Sequence, residues 1–408
     1  MVRSAVLWSL IAITVDIGLA RLGYGLVLPA IRADVAGSFS AFGLVATLHF
    51  AGYLTGSLAA PLALRRDRTA RYSATFAHLL VGVTLIASAF SRTLLELTVA
   101  RAFMGLGCGL GVAAVITGAL ERVGPAQRAG VSGRAWSGIA VGLFLSAPAT
   151  PWLLGGADRW RIGTLVTGVI GLVAAAGLWF AFARPPVTSG AAVSAETPFR
   201  LLDLVKPRRY LFLAIGYFGF GAAYTAYATF IVAALRSYGL GTPAIAAVWF
   251  AFGVTALIGA LSVGRIAGGP MRLAAFALSL GIAAVGSLFG LLPSVAAAVA
   301  GALCVGLGLA SSPAIASAAA RARSSAATGA AAFVGVTTIM SVGQVLGPAV
   351  AGAAADRFGP AIVPLVAFGI YAGGALAAAV DGFFQRASVR GGAAARGAAS
   401  RATSPVAD

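Results

Sequence analysis

Four ionisable side chains stand inside apolar stretches of the N-terminal part of the chain: Asp16, Arg21, His49 and Arg101. An arginine at the centre of a spanning helix costs about 2.5–3.5 kcal/mol on insertion scales, so such groups need a partner or a purpose. A carboxylate beside a guanidinium can carry a proton, because burial favours its neutral form and a neighbouring cation its charged one. Motion of one against the other then takes up or releases that proton. Asp16 is accordingly read as the proton-carrying carboxylate, Arg101 as the group that sets its proton affinity, and His49 as a relay near neutral pH. The competing reading is a static Asp16–Arg101 ion pair that fixes helix packing, with His49 a hydrogen-bonded packing residue one turn from Tyr53. Arg21 follows Asp16 by five residues, about 140° around an α-helix, so the two do not readily pair. Arg21 meets either an anionic group on a solute or a partner such as Glu96 or water.

A second set of groups lies in the C-terminal part. Tyr217, Tyr224 and Tyr227 stand at i, i+7 and i+10, on one helix face. Such a stripe offers aromatic surface with hydroxyl tips, suited to a cavity for organic solutes or to a helix–helix contact. Gln344 places an amide in an apolar helix and is a candidate solute contact. The substrate-binding set is therefore Arg21, Tyr224, Tyr227 and Gln344, and the proton-coupling set is Asp16, Arg101 and His49. Arg134 and His78, about two turns from the ends of their helices, read as snorkelling or capping residues. No zinc-spaced cluster, nucleophile–base arrangement or phosphate-cradling loop occurs, so the reading is not an enzyme and carries no catalytic residues, metal site or cofactor.

The elements that must position these groups are membrane spans. The chain is 60% hydrophobic and 10% charged, with a mean hydropathy of +0.95, outside the range of soluble globular proteins. Its net charge of +18 does not point to nucleic acid, because the arginines sit singly or in small groups between the apolar runs. Cys108 and Cys304 both lie within such runs, which argues against a structural disulfide. Windows of spanning length fall near 6–30, 40–63, 72–90, 94–120, 130–153, 162–183, 211–235, 244–264, 273–292, 295–320, 328–355 and 361–383. The first is a retained helix rather than a cleaved leader. The fold class is thus an all-α membrane protein of twelve transmembrane helices. Residues 1–183 form one six-helix bundle, 184–210 a cytoplasmic linker, 211–385 a second bundle and 386–408 a disordered tail. Arginines concentrate in the loops on the side of the termini, which places both termini in the cytoplasm of a plasma or inner membrane.

The chain also repeats itself. Val99–Gly111, VARAFMGLGCGLG, returns as Val299–Gly308, VAGALCVGLG, with Gly301 where Arg101 stood. Pro148 followed by Asp158-Arg159 returns as Pro348 followed by Asp356-Arg357, and Ala30-Ile31-Arg32 as Ala234-Leu235-Arg236. The fold is doubled and the buried charge is not. Two parallel six-helix repeats describe a known transporter architecture, with the solute site at the midplane between them. Leu97-x-x-x-Arg101-x-x-Met104-Gly105 resembles the fourth-helix motif of the major facilitator superfamily, with Met104 where glutamine is common. The resemblance implies a role for Arg101 in proton coupling. Gly133, Gly138, Gly142 and Pro148 approach the superfamily's antiporter motif with the proline one place late, and Gly343-Gln344-x-x-Gly347-Pro348 is the better Gly-Pro match. Ala60 stands where the superfamily usually has aspartate. ARLGYGLVLPAIR, GYLTGSL, GFGAAYTAYATF and GQVLGPAVAG resemble its YbfB/YjiJ-like branch.

These features read as a secondary active transporter of a small organic solute, coupled to protons, working by alternating access as a monomer in the lipid bilayer. Export is slightly favoured over import. An anion–proton symporter and an uncoupled facilitator fit the same residues, and a membrane receptor without transport is the rival from another class.

Overall fold

Caps and apolar runs divide the chain. Ser38 opens the second helix by accepting from the Ala41 N–H at 3.1 Å. Thr93 and Glu96 open the fourth with a reciprocal capping box. In the computed structural model, which describes residues 2–67, 70–156, 158–183, 208–267, 269, 271–324 and 329–402, the described residues contain helices and no strand. Helix α1 runs Val2–Ile13, winds as a π-helix over Thr14–Leu22 and resumes over Gly23–Asp34. It is followed by α2 (Phe39–Arg66), α3 (Arg71–Phe90), α4 (Leu94–Leu120), α5 (Arg128–Trp136 and Gly138–Leu153) and α6 (Arg159–Ala181). The second series is α7 (Arg208–Ser237), α8 (Thr242–Ala267), α9 (Arg272–Phe289), α10 (Val295–Ala322), α11 (Gly329–Phe358) and α12 (Val363–Ala402).

Three boundaries differ from the sequence reading. Eleven helices among the described residues are long and apolar enough to span a membrane. The twelfth, α5, is interrupted at Ser137, so the continuous run expected over 130–153 is two shorter pieces. Helix α7 begins at Arg208, within the range assigned to the linker; residues 184–207 lie outside the described residues. Helix α12 continues to Ala402, where a disordered tail from Arg386 was expected. The alanines of that stretch extend a helix already nucleated by its apolar part, and extension needs no apolar face. Residues 403–408 lie outside the described residues.

Packing follows the repeat. In the first series α2 lies against α4, α3 against α4 and α6, and α1 against α5; in the second, α8 lies against α10, α9 against α10 and α12, and α7 against α11. Each contact of the first six helices recurs six helices later. Across the two series α2 meets α11, α5 meets α8, and α1 meets α7, which is the pattern of a pseudo-two-fold axis along the bundle. Leucine, valine and phenylalanine side chains such as Leu62, Phe90, Val166, Leu261 and Phe383 are exposed around the outside, as a bilayer requires.

The series are tied together at the end of the bundle away from the termini, called here the far end. Asp356 of α11 accepts from the backbone N–H groups of Phe39 (2.6 Å) and Ser40 (2.8 Å) at the start of α2. Thr47 of α2 donates to the Val345 carbonyl of α11 at 2.8 Å, and the indole N–H of Trp249 in α8 donates to Ser146 Oγ in α5 at 3.1 Å. Helices α1 and α7 cross so closely at Gly25 that a Cβ there would lie 1.8 Å from the Ala228 carbonyl oxygen.

Candidate functional site

The glycines around Arg101 divide their work between two neighbours. A Cβ on Gly105 or Gly109 would strike the His49 or Tyr53 carbonyl oxygen of α2, at 1.9 and 2.1 Å. A Cβ on Gly107 would meet Ala77 and Val81 of α3. Alternate glycines therefore seat α4 against α2 on one side and α3 on the other, which fixes the depth of every polar group nearby. Gly111 has a further role. A Cβ there would stand 3.0 Å from His78 Cε1 and 3.1 Å from Asp16 Oδ2, so its hydrogen leaves the gap in which those two side chains meet.

Asp16 is paired with His78. Its Oδ2 lies 3.2 Å from His78 Nε2, within ion-pair distance though not aligned as a hydrogen bond, and neither side chain is exposed. His78 Nδ1 sits 2.9 Å from the Ala74 carbonyl, a contact that calls for the ring proton on Nδ1. The lone pair of a neutral His78 then faces the carboxylate, and the contact becomes attractive only when one proton joins the pair. Cys108 Sγ caps the Asp16 carbonyl at 3.7 Å.

This corrects two expectations. Arg101 does not pair with Asp16: its Nη1 donates to the Ala20 carbonyl at 2.8 Å, and its guanidinium lies 4.7 Å over the Tyr24 ring. His78 neither snorkels nor caps, because it points inward from α3. The signal for it was a lone histidine in an apolar helix, about 10 Å from the same bundle end as Asp16. Arg134, by contrast, is exposed, as read.

Arg21 occupies the same π-helical segment as Asp16. Winding by i→i+5 brings residue 21 nearer the face of residue 16 than an α-helix does, yet the two still serve different partners. The Arg21 Nη2 donates to the hydroxyl of Tyr224 in α7, and Gln344 Nε2 in α11 donates to the same hydroxyl. Gly343 and Gly347 make this reach possible, since a Cβ on either would strike the Phe218 or Ala222 carbonyl of α7. The Arg21 guanidinium also lies 4.5 Å from the Phe50 ring centre and 4.8 Å from that of Tyr53. Glu96 is not its partner: that carboxylate accepts from the Thr93 N–H of the capping box at 3.3 Å and from the Arg92 N–H at 2.7 Å.

Three of the four residues read as solute contacts thus meet at one point. The fourth, Tyr227, is buried in an apolar core to which both series contribute and makes no hydrogen bond among the described residues. His49 places Nδ1 3.3 Å from the Arg101 carbonyl and stacks edge-on with Phe50, apart from Asp16. A small cavity, with room for about one water, is lined by Arg21, Tyr24, His49, Phe50, Arg101 and Thr229. Phe50, Tyr24 and Thr229 were not singled out in the sequence, and Tyr53 entered only as a neighbour of His49, since single aromatic or hydroxyl residues in apolar helices carry no spacing signal. Among the described residues no cluster could hold a metal ion.

Residues 13–381 match the model of the family described as "Uncharacterised MFS-type transporter YbfB". The fold is similar to two solved structures of the nucleoside transporter NupG. One, of a single-residue mutant, aligns with a TM-score of 0.74 at 13% identity, covering 92% of this chain and 99% of that one. The other aligns with a TM-score of 0.73 at 12% identity, covering 93% and 98%. None of the curated proteins matches the sequence.

Proposed function

The chain belongs to the family of MFS-type transporters that carries the YbfB description, and from this we propose that it moves a small organic solute by alternating access, driven by protons. The observation that carries the reading is the Arg21–Tyr224–Gln344 junction. It joins α1 of one series to α7 and α11 of the other midway along the bundle, so any separation of the two series must break it. A solute that replaces Tyr224 as the partner of Arg21 would reward that separation, and one that lets the junction re-form would reward closure. The moving bodies are residues 1–183 and 211–385.

The Asp16–His78 pair is the candidate proton carrier. Asp16 sits on the same π-helical segment as Arg21, and the titratable atoms of the pair lie 3.2 Å apart, shielded from solvent. Arg101 and His49 border the solute space and sense its charge. With the termini in the cytoplasm, the far-end contacts close the side of the bundle that faces outward. The solute site belongs to a monomer, and export remains slightly favoured. Nucleosides, named for the structural relatives, enter the list of candidate solutes on likeness of fold alone.

Counterflow in proteoliposomes tests this. Labelled solute should accumulate transiently against unlabelled solute inside, and an imposed pH gradient should drive net accumulation. Binding without counterflow would make the protein a receptor; counterflow indifferent to pH would make it a facilitator.

A further inference from the structure

Two guanidinium groups share one small space, and no carboxylate shares it with them. Arg21 and Arg101 are 9% and 3% exposed and line the same cavity, together with His49 at 4%. Among the described residues Asp16 pairs with His78, Asp34 with Arg161 and Asp381 with Arg323, and no carboxylate lies within ion-pair distance of Arg21 or Arg101. The partners that Arg21 and Arg101 do have are neutral: the Tyr224 hydroxyl and the Ala20 carbonyl, with ring faces of Phe50, Tyr53 and Tyr24. The Nε–H of each arginine is buried without a hydrogen-bond partner. Two fixed cations beside unfilled donors, deep in an apolar bundle, are stable together only when something supplies negative charge.

We infer that the solute is a small organic monocarboxylate whose carboxylate sits between Arg21 and Arg101. This rests on the transport reading above and names its substrate class. Guanidinium forks match a carboxylate with paired, charge-assisted hydrogen bonds, which a point-charge ammonium cannot do. The two sides of the cavity come from different series, since Thr229 belongs to α7 and the other lining residues to α1, α2 and α4. The carboxylate therefore enters when α7 draws away, as Tyr224 releases Arg21. The Phe50 and Tyr53 rings around Arg21 leave apolar surface for the body of the solute.

The test is thermal stabilisation of the full-length purified protein in detergent at fixed ionic strength, with acetate and benzoate as probes against acetamide and benzamide. Stabilisation by benzoate or acetate and not by the amides is expected. Arg21→Gln and Arg101→Gln should each weaken that effect by about ten- to a hundredfold in apparent affinity, and Arg134→Gln, at an exposed arginine outside the cavity, should leave it intact. Where a Gln variant does not fold, Arg21→Lys and Arg101→Lys keep the charge, remove the fork and should still weaken binding. Equal stabilisation by acid and amide, or none by either acid, overturns the inference, as does full benzoate binding by both arginine variants. Because binding is read without transport, a carboxylate that binds but shows no counterflow would sink the transporter reading and leave this site standing.

Discussion

Asp16 Oδ2 and His78 Nε2 stand 3.2 Å apart with neither side chain exposed, so the carboxylate of α1 is answered by α3 and not by the arginine of α4. On the function proposed above, the proton carrier is thereby separated from the two arginines of the proposed solute site. One site can change its charge while the other changes its ligand, with the π-helical segment of α1 common to both.

Asp16→Asn and His78→Gln should each keep solute exchange and lose accumulation driven by a pH gradient. His49→Gln should weaken solute binding and keep coupling. Solute uptake in proteoliposomes with and without an imposed gradient separates these outcomes. Wild-type accumulation by Asp16→Asn would place coupling elsewhere, and its loss in His49→Gln would return the relay to that residue.

The pair also has a stability signature. Removing one member of a buried pair costs about 3–5 kcal/mol, while replacing both with apolar groups is often neutral. His78→Leu should therefore lower the thermal midpoint sharply, and Asp16→Leu with His78→Leu should restore most of it. Arg101→Leu added to Asp16→Leu should give no such rescue, because Arg101 is bound to the Ala20 carbonyl. A rescue there would revive the Asp16–Arg101 pair.

The far-end seal can be biased. Asp356→Ala removes two hydrogen bonds to a charged acceptor, each worth about 1.5–3 kcal/mol, and Gly25→Val forces α1 off the Ala228 carbonyl. Both should shift the population toward a state open at the far end by about tenfold or more. A cysteine replacing Thr47, whose hydroxyl now reaches α11, should label faster in either background. Unchanged labelling would mean that these contacts do not hold the seal.

Orientation has its own check. Exposed Ser294 lies in a far-end turn and exposed Gln127 in a turn at the termini end. An impermeant thiol reagent should modify Ser294→Cys in intact cells and spare Gln127→Cys. The reverse pattern would invert the topology.

The architecture was legible because hydrocarbon imposes a length and an apolar composition on every span, and because Val99–Gly111 and Val299–Gly308 repeat in order. Arg21, Tyr224 and Gln344 could be singled out because a polar group in an apolar run is conspicuous. Which groups touch was not legible. Depth along a helix can be counted, but rotation depends on winding, and the π segment between Thr14 and Leu22 alters that rotation without any marker in composition. The Asp16–His78 contact also depends on Gly111, whose role is to leave space, and a missing side chain looks the same in sequence wherever helices pack closely.

Trp249 gives the seam between α5 and α8 a use of a different kind. Its indole is fully buried with its N–H on Ser146 of the other series. Parting the series would hydrate that ring and move its emission to longer wavelength. With the other five tryptophans changed to phenylalanine, Trp249 would report the opening and closing of the protein through its own fluorescence, with no attached dye, while solutes and pH gradients are varied.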